Sequence, residues 1–228
     1  MTHSIHKQIV EQLKTRVSLK QKVFDKTVES FKELKEVVSG MPDIFNPELA
    51  DNDTRISLEY QDLAGYVAKL KVGGDVLVFN MHTNAFHFDR DHKVWELAYA
   101  KEDMSRTYCG VINIYNFLYD SFRYGRNEDA GYLVARVFVN YEGHFFVEGK
   151  RQRTMGVSAF ETSILNKQTW TRIVETAMLY SLEFDLLVPP YDNMKIISLA
   201  QMNEEIVQSR LRTGKRLGFV FNSDDVGQ

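Results

Sequence analysis

The 228-residue chain has a single cysteine, Cys109, only four prolines, and no apolar run near the eighteen residues that a membrane-spanning helix requires. One thiol rules out an intrachain disulfide. With no apolar leader segment, it points to a reducing, cytoplasmic setting with no membrane as partner. Neither sign of charge dominates: 28 Lys and Arg stand against 31 Asp and Glu, a formal net charge of −3. That balance argues against a wholesale electrostatic grip on nucleic acid, which stays open only through local patches and is not the favoured partner. Internal repeats and low-complexity segments are lacking as well. Asn52-Asp53-Thr54 spells a glycosylation sequon, but with no secretory signal it reads as a chance match.

The clearest pattern is an apolar repeat in the first forty residues. Val10, Val17, Phe24, Phe31 and Val38 recur every seven positions, and Leu13, Leu34 and Met41 follow three residues later. This is the a/d seam of a helix that presents a narrow face to a partner surface. Lys20 and Thr27 interrupt it, while Ile9, Val23, Val28 and Val37 broaden it toward a stripe that packs on the chain's own sheet. Gly40 and Pro42 predict the stop, so the helix spans about His3 to Ser39 and measures roughly 55 Å at about 1.5 Å per residue. A helix of that length outruns a single domain. Part of it is therefore expected at a homodimer interface, with Val17, Phe24, Phe31 and Leu34 as the contacts and a coiled coil as the form.

Residues 42–55 read as an acidic linker, because Pro42 and Pro47 with Asp43, Glu48, Asp51 and Asp53 leave no apolar face. Residues 56–228 then form the globular domain, with residues 1–41 as its helical extension. Tyr66 to Val72 alternates with period two, Gly73-Gly74 supplies a hairpin turn, and Val76 to Met81 returns. Ala85 to Phe88 is a candidate short third strand, followed by a helical crossing near Lys93 to Ala100. Strands are predicted at Cys109 to Leu118, Tyr132 to Val139 and His144 to Val147, with Asn140-Tyr141-Glu142-Gly143 turning the last pair. Such short links exclude most parallel crossovers. The expected fold class is α+β: a long N-terminal helix, a five- or six-stranded antiparallel sheet, and C-terminal helices packed on one face.

Those helices are announced by a capping box at Ser158 to Glu161 and by Trp170, Ile173, Val174, Ala177 and Met178 at helical spacing. Pro189-Pro190 stops that element. A last helix near Asn203 to Arg212 and a strand at Leu217 to Phe221 complete the reading. Arg210, Arg212, Lys215 and Arg216 suit the C-terminal end of that helix, where cations complement the dipole.

Three groups of residues carry possible chemistry. His82, His87 and Asp89, with Asp91 and His92 beside them, are suitable metal ligands. Their spacing fits a polar hairpin edge better, since residues five apart on one strand face opposite sides. Asp129 with Glu148 and Lys150 has the acid and Glu-x-Lys spacing of a magnesium-dependent nuclease. Arg123, Arg126, Arg136, Arg151 and Arg153 lie near in sequence as phosphate or anion contacts. The predicted hairpin sets Glu148 opposite roughly Ala135, which leaves about 20 Å of strand between the carboxylates at about 3.3 Å per residue. Arg136 among apolar neighbours is equally suited to pairing with Glu148. Third, Tyr108, Tyr115, Tyr119, Tyr124 and Tyr132 alternate with the arginines in a pattern that stacks bases or simply fills strands. Cys109 in an apolar strand reads as core.

No acid/base, nucleophile or phosphate-loop pattern stands out. The leading expectation is a non-catalytic cytoplasmic binding or regulatory module that needs no cofactor and acts through protein–protein contacts. The alternative is the magnesium nuclease of Asp129, Glu148 and Lys150.

Overall fold

The computed structural model of the chain describes residues 2–49, 51, 53, 56–149, 160–184, 196, 198–200, 202 and 203. The α+β class holds: a long N-terminal helix, a six-stranded antiparallel sheet and a C-terminal helix.

The heptad region forms one helical column: α1 (Thr2–Gln12), a π turn at Leu13–Val17, and α2 (Ser18–Phe45). Its seam is used in two ways. Val23, Thr27, Ser30, Phe31, Leu34, Val38 and Met41 are buried, so the second half is consumed by the chain's own core. From Ile5 to Ser18 only Val10 is even partly covered. Of the residues expected at a dimer interface, Phe31 and Leu34 lie inside that core and have no free surface for a second chain. Phe24 is half-buried, edge-on to Tyr66 with ring centroids 6.0 Å apart, and Val17 is exposed. The π turn separates these regimes. Its i→i+5 bonding takes an extra residue, which rotates the preceding stripe by about 100° from the face that a continuous α-helix would present.

The stop expected at Gly40 and Pro42 does not occur; α2 carries Pro42 inside it and ends at Phe45. Burial of Val38 and Met41 holds the helix to the core through this point. Asn46 then takes over. Its amide nitrogen donates to the Leu58 carbonyl at 3.0 Å and its amide oxygen accepts the Leu58 N–H at 2.8 Å, so one side chain imitates a strand neighbour. A 3₁₀ turn, Asn46–Leu49, occupies part of the acidic stretch.

The sheet consists of β1 (Leu58–Ala64), β2 (Val67–Val72), β3 (Asp75–Met81), β4 (Cys109–Leu118), β5 (Tyr132–Asn140) and β6 (Phe145–Gly149), in sequence order with every neighbouring pair antiparallel. Gly73 at φ 60° provides the left-handed residue of the β2–β3 hairpin. β1 is the strand that the alternation does not announce, and it supplies the sixth. The short strand expected at Ala85 to Phe88 is only an isolated bridge, Phe86 to Cys109. A 3₁₀ turn (Lys93–Glu96) and short helix α3 (Ala98–Glu102) stand where the helical crossing is expected. A further short helix, α4 (Tyr119–Arg123), leads out of β4.

Alternation along each strand sends side chains to two differently covered faces. Leu70, Leu77, Phe79, Ile112, Ile114 and Val137 join Phe31, Leu34 and the Trp170 stripe of α5 (Lys167–Leu182) in the main core. The cap of α5 is Asn166, whose side-chain oxygen accepts the Thr169 N–H at 2.9 Å. The opposite face of β4 to β6 carries a second cluster of Cys109, Val111, Phe138 and Phe146, closed by Val94 and Phe160. Thus the β3–β4 connection lies across the sheet face away from α2. Ser158 of the capping box, Pro189-Pro190, the basic group Arg210 to Arg216 and the strand at Leu217 to Phe221 lie outside the described residues, as does nearly all of the last helix.

Helix and sheet approach closely at Gly110. A Cβ there would lie 2.0 Å from Thr27 Oγ1 and 2.8 Å from Thr27 Cβ. Thr27 is fully enclosed, and its hydroxyl donates back to the Val23 carbonyl at 2.6 Å, which satisfies it within the helix. The polar residue that interrupts the heptad is therefore the one small enough to sit on the strand backbone. Gly110→Ala is predicted to cost about 1–3 kcal/mol of stability through overpacking. In a Thr27→Ala background the cost shrinks, since the hydroxyl and methyl that collide are gone. Urea unfolding of the two single variants, the double variant and the parent reads this coupling. Strictly additive costs would contradict it.

Candidate functional site

The turn between β5 and β6 organises the segment that crosses the outer sheet face. Asn140 is fully buried, and its side-chain oxygen accepts the N–H groups of Glu142 and His144, both at 3.0 Å. Its amide nitrogen donates to the Tyr99 hydroxyl at 2.8 Å and to the Arg106 carbonyl at 3.2 Å. One asparagine thus closes the turn, with Gly143 at φ 84°, and holds α3 and the residues after it against the sheet. Tyr99 is stacked on His144 at 4.6 Å, lies under the Arg106 guanidinium at 4.4 Å and donates to Glu142. Burial first, and the neighbouring Glu142 second, push the Tyr99 hydroxyl far above its ordinary range. Burial works to raise the Glu142 carboxyl, but Tyr99 and Arg106 outweigh it and hold that group low.

Between this segment and β4 to β6 lies a cleft of about 720 Å³. Its walls include His82, His87, Asp89, His92, Arg136 and Glu148, so two groups of sequence candidates meet in one place. Glu148 stands opposite Arg136, one residue from the partner expected, and the two form an ion pair on the outer face. His92 Nδ1 accepts the Val94 N–H at 3.2 Å, which places the proton of the neutral ring on Nε2. That nitrogen lies 3.7 Å from Glu148 Oε1, beyond a hydrogen bond. The His92 ring is stacked on Phe88 at 4.5 Å. His82 Nδ1 accepts the Asn84 N–H at 3.1 Å, and His87 is flanked by Trp95 at 5.1 Å and Tyr108 at 4.6 Å. Among the described residues, no group of three or more His, Cys, Asp or Glu side chains is arranged to hold a metal ion.

Asp129 is elsewhere. It accepts the Ser121 hydroxyl at 2.6 Å and pairs with Arg126 Nε at 2.9 Å in the loop after α4. Arg136 and Tyr132 alone are about 13 Å apart along β5, and Asp129 lies further out. The structure therefore does not bring Asp129 and Glu148 together, while Lys150, Arg151 and Arg153 lie outside the described residues. Arg123 stacks on Tyr124 at 5.4 Å. Of the five arginines expected to contact phosphate, Arg126 and Arg136 are committed to carboxylates within the chain. Cys109 is fully buried, and burial pushes its thiol far up, in keeping with a core role.

What the cleft offers chemically is a carboxylate neutralised by a guanidinium, an imidazole beside it, and aromatic rings behind. That combination recognises polar groups, and Asp89, Asp91 and Lys93 add further charge to its walls. The Asn140-Tyr141-Glu142-Gly143 turn is legible in sequence, but the anchoring role of Asn140 is not, and nothing in the local pattern marks Tyr99 or Trp95.

Asp103 tests how this segment is held. Its carboxylate accepts the Ser105 N–H at 2.8 Å and the Tyr141 hydroxyl at 3.1 Å. Hydrogen bonds from Ser105, with Tyr141 and Arg106 assisting, hold it below the ordinary carboxylate range against the effect of burial. A depressed folded-state value means that this stabilisation is complete above the unfolded Asp value of about 3.9 and is lost as pH falls through the lower folded one. Asp103→Asn is predicted to flatten that part of the acid limb of a stability–pH curve. An unchanged acid limb would count against the assignment.

No protein-family model, curated protein or solved structure matches this chain.

Proposed function

We propose that this protein is a non-catalytic binding module, cytoplasmic in setting, whose working element is the first part of its N-terminal helix and whose first partner is a second copy of the chain. The observation that carries this is the stripe of Ile5, Ile9, Leu13 and Val17, which are 60, 54, 56 and 51% exposed. Four large apolar residues four apart on one helix make a continuous seam. Burying such a seam in each of two copies supplies a driving force of about 1.5–3 kcal/mol per enclosed side chain, before the costs of association. Symmetric pairing through one self-complementary face is the commonest route for such an element.

A charge imbalance favours a second reading. Lys7, Lys14, Arg16, Lys20 and Lys22 accompany only Glu11 in this part of the helix. A basic amphipathic helix also suits an acidic, apolar-lined groove on another protein. Salt separates the two. Two basic helices repel, so screening strengthens a homodimer, whereas screening weakens a basic helix on an acidic groove.

Sedimentation at low and high salt is the test. The full chain is expected to be dimeric at micromolar concentration, more so at high salt. Leu13→Asp with Val17→Asp is expected to yield a monomer that keeps its fold, since neither side chain is in the core, and that melts like the parent diluted until it too is monomeric. A parent protein that stays monomeric at high micromolar concentration, or a double variant that stays dimeric, would overturn the self-association.

A further inference from the structure

The other side of the same helix borders a separate cleft of about 1030 Å³, between the π turn and the residues that cross the outer sheet face. This exceeds the first cleft in size and is at the upper end of the range for small-molecule sites, about 300–1,000 Å³. Lys14, Arg16, Lys22 and Arg90 line it, and no acidic side chain does. Among the described residues, none of the four has an ion-pair partner, unlike Arg126 and Arg136. Asp89 and Asp91, which flank Arg90 in sequence, line the first cleft.

Facing these cations is an aromatic wall. His87 lies 5.1 Å from Trp95 and 4.6 Å from Tyr108, and the Trp95 indole is fixed by donating to the Asp89 carbonyl at 2.8 Å. The helix itself departs from α geometry here for no packing reason, because no residue of the π turn is buried. In a regular helix residues two apart do not face the same way, yet Lys14 and Arg16 both line the cleft. π turns recur at functional sites for this sort of local re-aiming.

We propose that this cleft binds a nucleoside phosphate, with the phosphates against Lys14, Arg16, Lys22 and Arg90 and the base stacked on the wall of Trp95, His87 and Tyr108. Cations without carboxylates select a polyanion. A fixed indole beside them selects a planar base by stacking, which tolerates any base. The ligand's chemistry is met equally by a free nucleotide and by a single-stranded nucleic acid. The site uses the helix face away from the apolar stripe and does not require self-association.

Tryptophan fluorescence of the full chain tests this, because Trp170 is enclosed in the core and only Trp95 is accessible to a ligand. Titration with adenosine diphosphate and with a short single-stranded RNA is expected to give saturable quenching by at least one of them, and the tighter of the two identifies the source. Inorganic pyrophosphate is expected to bind at least about tenfold more weakly, lacking the stacked base. Lys14→Gln with Arg90→Gln, both exposed positions, is expected to weaken binding about tenfold or more while circular dichroism stays unchanged. Trp95→Phe is expected to abolish the quenching yet retain calorimetric binding. The proposal is overturned if neither nucleotide nor RNA quenches at millimolar concentration in low salt. It is equally overturned if pyrophosphate matches the nucleotide, or if the double variant binds as well as the parent.

Discussion

The seating of the long helix on the sheet turns on the contact of Thr27 with Gly110. A glycine in the middle strand of the sheet and a small side chain on the helix allow α2 to come down onto the backbone of β4, where any Cβ would collide. From that point the helix axis is set. Toward its C-terminal end, Phe31, Leu34, Val38 and Met41 find Leu70, Leu77 and Phe79 and are spent on the core. Toward its N-terminal end the helix passes beyond the sheet, and the stripe of Ile5, Ile9, Leu13 and Val17 is exposed. One seam in sequence becomes a core face and an exposed face because a single close approach fixes where the sheet ends along it.

The π turn makes that division sharper. It lies just before the helix reaches the sheet and turns the apolar stripe one way and a basic side the other. The helix thereby offers two chemically different surfaces. The apolar one suits another helix; the basic one faces Trp95 and Tyr108 across a cleft. His87 belongs to the walls of both clefts, so the connection from β3 to β4 is the element that both share. Its anchor is Asn140, which uses its amide for two turn N–H groups and two acceptors on that connection. Loss of that side chain would leave several buried polar groups unpaired, a costly condition in a low-dielectric interior.

Much of this fold is legible in the amino-acid order because strand alternation and helical spacing are local signals. Cys109 to Leu118 is the strand expected residue for residue, and Trp170, Ile173 and Val174 are buried as their spacing implies. The misses come from tertiary context. Pro42 reads as a helix stop, but buried Val38 and Met41 and the Asn46 side chain keep the chain helical past it. β1 is an edge strand whose outward Glu59 pairs with Lys71 of β2, so part of its stability comes from a cross-strand ion pair that no periodicity reveals. The site is less legible still. His82, His87, Arg136 and Glu148 do gather in one cleft, yet Asp129 does not join them, since it lies in the loop before β5, held by Ser121 and Arg126. Lys14, Arg16 and Arg90 give no linear hint of their shared cleft, because a π turn and a long connection bring them together.

Residues on the two sides of the π turn belong to different surfaces, an exposed apolar stripe before it and a core face after it. Amide hydrogen exchange along the helix at two protein concentrations tests it most directly. Residues 23–41 are expected to exchange slowly and independently of concentration, while residues 5–17 exchange fast when dilute and become protected as concentration rises. Uniform, concentration-independent protection from residue 5 to residue 41 would contradict it.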